Sequence, residues 1–106
     1  MAREKFQTLT EQMFYILLCL RRECCGADIM ACVSALTNGR VAVGPGTLYN
    51  LLESFVQAGY IAETKVEGRK RSYLITEAGQ TALEDEYRRL RTLAADYEAQ
   101  TGGAGV

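Results

Sequence analysis

The stretch Gly44–Tyr60, with the sequence GPGTLYNLLESFVQAGY, decides how the rest of the chain can fold. Pro45 suits the first position of a helix and Gly59 follows the last apolar residue, so the pattern predicts one helix over Pro45–Ala58. One face of this helix carries apolar residues at helical spacing and is the predicted core stripe: Leu48, Leu51, Leu52, Phe55 and Val56. The other face is polar with few charges and carries Gly46, Thr47, Tyr49, Asn50, Glu53, Ser54 and Gln57. Such a face is typical of a helix that reads base edges in a DNA major groove, and equally of a plain solvated helix.

A basic β-hairpin is predicted directly after this helix. Ile61–Val66 and Arg69–Thr76 are rich in strand-forming residues and are joined by a turn at Glu67 and Gly68. The hairpin carries four cations, Lys65, Arg69, Lys70 and Arg71. An amphipathic helix followed by a basic hairpin indicates a winged helix, in which the helix enters a DNA groove and the wing contacts phosphate.

The segments before Gly44 complete that fold. Helical periodicity predicts a first helix from about Leu9 to Glu23, a break at Gly26, and a second helix that ends at Asn38 and Gly39. The β-branched segment Arg40–Val43 is predicted as a short strand that joins the hairpin in a three-stranded sheet. We therefore expect a mainly α fold with a small β-hairpin, a winged helix-turn-helix over residues 9–75.

The segment after the hairpin predicts a long helix capped by Thr76 that reaches Gln100. Its apolar residues form a heptad seam, and at about 37 Å the helix is longer than the small domain needs for its own core. We expect it to be a dimerisation helix in a homodimer; the alternative is that it folds back on its own domain. The predicted interface residues are Phe14 of the first helix with Leu83, Tyr87, Leu90, Leu93, Ala94 and Tyr97. Residues 1–8 are predicted to be a flexible lead-in and residues 101–106 a disordered tail.

Composition narrows the function classes. The chain has 106 residues, no histidine and a net charge of −1, so any case for nucleic acid rests on where the charges lie. Residues 1–75 carry a net charge of +2 and residues 76–106 a net charge of −3, which places the basic side in the winged domain. We recognise no catalytic nucleophile with a general base beside it and no loop that could bind a phosphate. We therefore expect no enzyme activity and no cofactor.

The four cysteines do not form a metal-binding motif, because no CxxC spacing occurs. Cys19 and Cys32 are interpreted as small core residues, whereas Cys24 and Cys25 are candidate accessible thiols for a thiol- or metal-responsive regulator. We predict no bound metal. No signal peptide is recognisable and the longest apolar run, residues 13–20, is too short to span a bilayer, so we expect a cytoplasmic protein without membrane contact.

These motifs together resemble the PadR family of bacterial transcriptional regulators. The resemblance covers about residues 9–83 and rests on PGTLY at Pro45–Tyr49, on Leu52, Gly59 and Ile61, on the basic segment Arg69–Tyr73, and on ITEAG at Ile75–Gly79. It implies a recognition helix over residues 44–58, a wing at the hairpin, and dimerisation through the C-terminal helix. The short C-terminal region resembles the smaller subgroup of that family.

The resemblance implies a homodimeric regulator, expected to be a repressor, on a pseudo-palindromic operator in double-stranded DNA. The expected DNA-binding residues are Gly46, Thr47, Tyr49, Asn50, Ser54, Lys65, Arg69, Lys70 and Arg71, with help from Arg3, Lys5 and Arg40. A small hydrophobic or aromatic effector is a further expectation, with Phe6, Phe14, Tyr15 and Tyr97 as candidate lining residues. The chain departs from the family in having no Lys or Arg between Gly44 and Tyr60. That departure motivates the alternative of a winged-helix module that binds a protein instead of DNA.

Overall fold

The structure of the protein is a computed structural model that describes residues 8–102. This part of the chain folds into helices α1 (Glu11–Cys19), α2 (Gly26–Leu36), α3 (Pro45–Ala58) and α4 (Glu77–Thr101) and strands β1 (Cys24–Cys25), β2 (Ile61–Glu67) and β3 (Lys70–Ile75). The strands form an antiparallel sheet in the order β1-β3-β2. The predicted fold class, mainly helical with a small sheet and a long C-terminal helix, is confirmed.

Helix α3 has the bounds that the sequence predicted. Pro45 occupies its first turn, and Gly59 ends it in the left-handed conformation at φ 81°. Leu48, Leu52 and Phe55 of the predicted stripe are buried in the core. The prediction was wrong for Val56, which is 43% exposed. Val56 lies at the margin of the stripe and lines an open cleft toward the hairpin.

The core lies where α1, α2 and α3 meet in front of the sheet. Its largest fully buried side chains come from the three helices and from Leu20, directly after α1: Ile16, Leu17, Leu20, Ile29, Val33, Leu48, Leu52 and Phe55. Burying a side chain of this size contributes about 1.5–3 kcal/mol, so this cluster fixes the positions of α2 and α3 relative to one another.

The third strand is not the segment that the sequence predicted. Arg40–Val43 forms no strand; the Val41 N–H donates instead to the hydroxyl of buried Thr37 at 3.0 Å, and that hydroxyl donates to the Val33 carbonyl at 2.9 Å. Val41 and Val43 are buried as core residues. The third strand is instead Cys24–Cys25, which pairs with Tyr73 and Ser72 of β3.

The same pairing explains why α1 is shorter than predicted. The helix ends at Cys19, and the carbonyl of Leu20 accepts a hydrogen bond from the Ile75 N–H at 2.8 Å. The chain thus leaves the helix to join the sheet. Gly26, predicted as a break, is the first residue of α2.

Cys19 is buried in the core and Cys32 packs against it, as the sequence predicted. The two are in addition joined by a disulfide between α1 and α2, with their Cα atoms 6.4 Å apart, which the sequence did not predict. The bond ties together the two helices that support α3.

Helix α4 begins as predicted. The Thr76 hydroxyl accepts a hydrogen bond from the Gly79 N–H at 3.1 Å and donates to the Gly59 carbonyl at 2.6 Å. The helix continues through Thr101, one residue beyond the predicted end. Of the helices in residues 8–102, none combines the length and the apolar character needed to cross a bilayer.

Candidate nucleic-acid interface

Helix α3 presents its polar face to the outside, while the buried stripe behind it holds that face in place. Thr47, Asn50, Glu53 and Gln57 are exposed, as is Gly46 in the first turn. Ser54 is half-buried toward the core side of the helix. The exposed groups are hydroxyls, amides and one carboxylate, which are groups that can bond base edges.

Tyr49 has a position that the sequence did not reveal. Its side chain is 51% exposed and its ring lies over the start of α2. A Cβ atom added to Gly26 would lie 2.4 Å from the Tyr49 hydroxyl oxygen, so only glycine allows this approach. Tyr49 therefore packs between the two helices of the helix-turn-helix. The glycine that follows Cys24-Cys25 was the only sequence signal of this contact, and it was interpreted as a helix break.

The hairpin flanks α3 and forms two open clefts with it. One cleft, of about 520 Å³, lies between the start of α2, Tyr49 and the wing residues Arg69, Lys70 and Arg71. The other, of about 430 Å³, has Tyr49 and Glu53 of α3 on one side and Glu63, Arg71 and Tyr73 of the hairpin on the other. The structure thus brings Tyr49 together with three of the four predicted wing cations.

The wing cations differ in their electrostatic surroundings. Arg71 Nη1 donates to Glu63 Oε2 at 2.9 Å. Lys65, Arg69 and Lys70 are exposed and form no ion pair with any residue between 8 and 102. Burial raises the pKa of Tyr73, with a further contribution from the nearby Glu63 carboxylate. Three cations of the wing are therefore available to an anion without competition from an ion-pair partner.

The predicted helper cations lie elsewhere. Arg40 pairs with Glu11, and its Nη2 donates to the Tyr15 hydroxyl oxygen at 3.0 Å. The hydrogen bond to Glu11, followed by that to Tyr15, raises the pKa of Arg40. This arginine is thus engaged by α1. Arg3 and Lys5, like Phe6 of the predicted effector site, lie outside the described residues.

The candidate thiols do not form an accessible pair. Cys25 is 8% exposed and its Sγ donates to Asp28 Oδ2 at 3.4 Å, whereas Cys24 is half-buried. Burial raises the pKa of Cys24, and the charges of Asp28 and Cys25 add to the shift. A raised pKa lowers the thiolate fraction and so disfavours thiol chemistry. Across residues 8–102, no group of three or more His, Cys, Asp or Glu side chains is placed to hold a metal ion.

The predicted interface residues of α4 divide into two groups. Leu83 is 4% exposed and belongs to the core of its own chain. The remaining residues project from the helix with large exposed fractions, 51% for Tyr87, 41% for Leu90, 51% for Leu93 and 60% for Tyr97. Ala94 is also exposed.

A groove of about 320 Å³ runs between the start of α1 and α4. It contains two of the predicted effector residues, Phe14 and Tyr15, whose rings meet edge to face with centroids 5.7 Å apart. Leu90, Glu86 and Arg89 of α4 form the other wall. Tyr97 lies farther along α4 and does not line this groove.

Known structures share this architecture. A transcriptional regulator from Clostridium thermocellum matches with a TM-score of 0.72 and 17% identity, over 86% of this chain and 92% of that one. RosR from H. salinarum matches with a TM-score of 0.64 and 23% identity, over 89% and 97% of the two chains. A PadR family transcriptional regulator from Eggerthella lenta matches with a TM-score of 0.66 and 19% identity, over 82% and 74%. At these identities the likeness shows a common fold.

The family itself is shown by the sequence. No curated protein matches the chain. The model of the transcriptional regulator PadR-like family matches residues 16–85, from the middle of α1 into the first turns of α4. The matched region contains the helix-turn-helix, the wing and the Thr76 cap, so the chain belongs to the PadR-like family of transcriptional regulators.

Proposed function

We propose that this protein is a sequence-specific DNA-binding regulator that acts as a homodimeric repressor. The observation that carries the proposal is the arrangement of α3 and the wing, in which a polar helix face lies beside a hairpin with exposed cations. A helix of this kind fits the major groove, while lysines and arginines of a wing suit the flanking phosphates.

The proposed roles follow from exposure and chemistry. Asn50 and Thr47 are the candidates for base contact, since amides bond adenine and hydroxyls bond either partner. Tyr49 is proposed to contact DNA through its hydroxyl at the edge of the cleft. Gly46 and Ser54, nearer the two ends of the same helix, are proposed as further contact residues. Phosphate contacts are proposed for Lys65, Arg69, Lys70 and Arg71.

We propose that the dimer forms through the exposed seam of α4, with Phe14 at its edge. Two recognition helices related by a two-fold axis would meet successive major grooves, so the operator is proposed to be a pseudo-palindrome with half-sites about one helical turn apart. The groove between α1 and α4 is the proposed place for a small hydrophobic effector, because Phe14, Tyr15 and Leu90 offer apolar surface there.

Fluorescence anisotropy of the purified protein tests the proposal. The probes are the duplex upstream of its own gene and a random duplex pool, each at two salt concentrations. Tight binding to the upstream duplex that weakens steeply with salt is the expected result. A folded protein that binds neither probe would refute DNA binding and favour the alternative of a protein-binding module.

Two variants separate base reading from phosphate contact. Asn50→Ala should lose about 1–3 kcal/mol of discrimination between operator and random DNA, while binding to random DNA changes little. Lys70→Ala should weaken binding to both probes by the same factor. It should also make the slope of log K against log salt shallower by about one unit per protomer. If Asn50→Ala weakened binding to both probes by the same factor, the assignment of Asn50 to base contact would be wrong.

A further inference from the structure

Two acidic residues lie in the wing, Glu63 and Glu67, and Glu63 forms an ion pair with one of the wing's cations. Glu63 is in β2 opposite Tyr73, and the register of the hairpin shifts between Glu63 and Lys65. Arg71 lies two residues before Tyr73, so its side chain is on the same face of the hairpin as Glu63, and it reaches along the strand to that carboxylate. Its Nη1 donates to Glu63 Oε2 at 2.9 Å.

The pair faces the recognition helix. Glu63 and Arg71 line the 430 Å³ cleft together with Tyr49 and Glu53 of α3. Both side chains keep contact with water, with exposed fractions of 59% for Arg71 and 34% for Glu63. A phosphate that approached between the wing and α3 would therefore meet both charges at once.

The pair carries no net charge, and this sets its effect on a polyanion. Salt dependence of DNA binding reports how many phosphates a protein neutralises. While Arg71 stays on Glu63, at 2.9 Å, it neutralises no phosphate. The pair then releases about no counterions, unlike Lys65, Arg69 and Lys70.

We propose that Glu63 sets the strength of the wing's attraction to DNA: it holds Arg71 and offsets its charge, so that the wing attracts DNA with three effective cations instead of four. This inference rests on the proposed DNA binding. This offset weakens the attraction to every DNA sequence by the same factor. The base contacts of α3 then account for a larger share of the total binding free energy.

The test is the salt dependence of binding to a random duplex, measured by anisotropy for the full chain and Glu63→Gln. Releasing Arg71 should steepen the slope of log K against log salt by about 0.9 per protomer, or about 1.8 for a dimer. At about 0.1 M salt, the variant should bind random DNA roughly tenfold more tightly or better. The preference for the operator over random DNA should not increase.

A double-mutant cycle separates release of Arg71 from simple removal of an acid. In an Arg71→Gln background, Glu63→Gln should leave the slope nearly unchanged, because no cation remains to be released. Arg71→Gln alone should also change the slope little, whereas Lys70→Gln should make it shallower by about one unit per protomer. Thermal unfolding of each variant checks that these exposed substitutions leave the fold intact.

Distinct outcomes identify which proposal fails. An unchanged slope in Glu63→Gln, or an equal steepening with and without Arg71, overturns the role of Glu63 while DNA binding stands. If Arg71→Gln alone made the slope shallower by a full unit per protomer, the role of Glu63 would also be overturned, because Arg71 would then already act as a free cation. Absence of duplex binding by every folded variant overturns the proposed function and this inference with it.

Discussion

At the scale of single residues, Glu86 shows how a charged side chain can belong to the core. It is 5% exposed, and its carboxylate accepts hydrogen bonds from the Leu9 N–H at 3.2 Å and from the Arg89 guanidinium. The hydrogen bonds from Arg89 lower the pKa of Glu86 below its ordinary value of 4.5, and the Leu9 N–H adds to the shift, although burial opposes it. The carboxylate thereby fastens the chain entering α1 to α4.

Replacement of Glu86 by Gln should therefore destabilise the protein. Loss of a buried charge-assisted acceptor predicts about 1–3 kcal/mol lower free energy of unfolding at pH 7, measured by urea denaturation. Because the pKa is lower in the folded state, Glu86 stabilises the fold above pH 4.5, and this contribution is lost as the pH falls through the folded-state value. Glu86→Gln should accordingly show a shallower loss of stability in acid.

Glu84→Gln is the matched control for this prediction. Glu84 is exposed and lies 3.8 Å from Arg88, so its removal should change the free energy of unfolding by less than about 0.5 kcal/mol. Equal effects of the two substitutions would show that Glu86 is not an anchor. The sequence did not single out Glu86, because the run Glu84–Glu86 is typical of a solvated helix face and the contact with Leu9 spans the whole domain.

The burial of side chains was predictable from the sequence where the repeat of an amphipathic helix alone determines it. Leu48, Leu52 and Phe55 are buried as the period of α3 requires. The Arg71–Glu63 pair was not predicted, because it requires the pairing of Glu63 with Tyr73 across the hairpin, which the composition of the two strands does not specify. The Tyr49–Gly26 contact depends on the approach of two helices, which a local pattern does not encode.

At the scale of elements, the joint between the wing and α4 depends on Gly79. This residue is buried, and an added Cβ would lie 2.1 Å from the Tyr60 carbonyl oxygen and 2.8 Å from the Cγ1 of Ile75. The Tyr60 carbonyl cannot move freely, since it already accepts a hydrogen bond from the Thr76 N–H at 2.9 Å. Gly79 thus allows the first turn of α4 to pack on the end of the sheet.

Gly79→Ala should lower the free energy of unfolding by about 1–3 kcal/mol, as for other overpacked sites. Gly46→Ala is the control, because a Cβ at Gly46 would meet no atom within 4 Å and alanine favours a helix by up to about 1 kcal/mol. Urea denaturation of both variants measures the difference. Similar stabilities would contradict the close packing inferred at this joint.

Element boundaries were predictable where local chemistry fixes them. Pro45, Gly59 and the Thr76 cap gave the ends of α3 and the start of α4 correctly. The sheet was harder to predict because its third strand is formed by a pairing that is distant in sequence. Cys24–Cys25 pairs with Tyr73 and Ser72 of β3, and two cysteines carry no local strand signal.

At the scale of the whole molecule, α4 makes the chain elongated. The Cα radius of gyration is 15.5 Å, whereas a compact domain of this length has about 13 Å. Beyond Leu83 the apolar residues of the helix are largely exposed. An unpaired apolar seam of this length in a single chain is what the proposed homodimer would cover.

Leu93→Glu tests that dimer without disturbing the monomer, because Leu93 is 51% exposed and stays in water if no partner covers it. In a dimer the new carboxylate would be buried without a partner, at a cost of about 3–5 kcal/mol. The dimer dissociation constant, measured by sedimentation equilibrium, should therefore rise roughly a hundredfold or more. Ala99→Glu adds the same charge on the opposite face of α4 and should leave the constant within about threefold of the wild type. A monomeric wild type, or equal effects of both substitutions, would show that α4 does not dimerise through this seam.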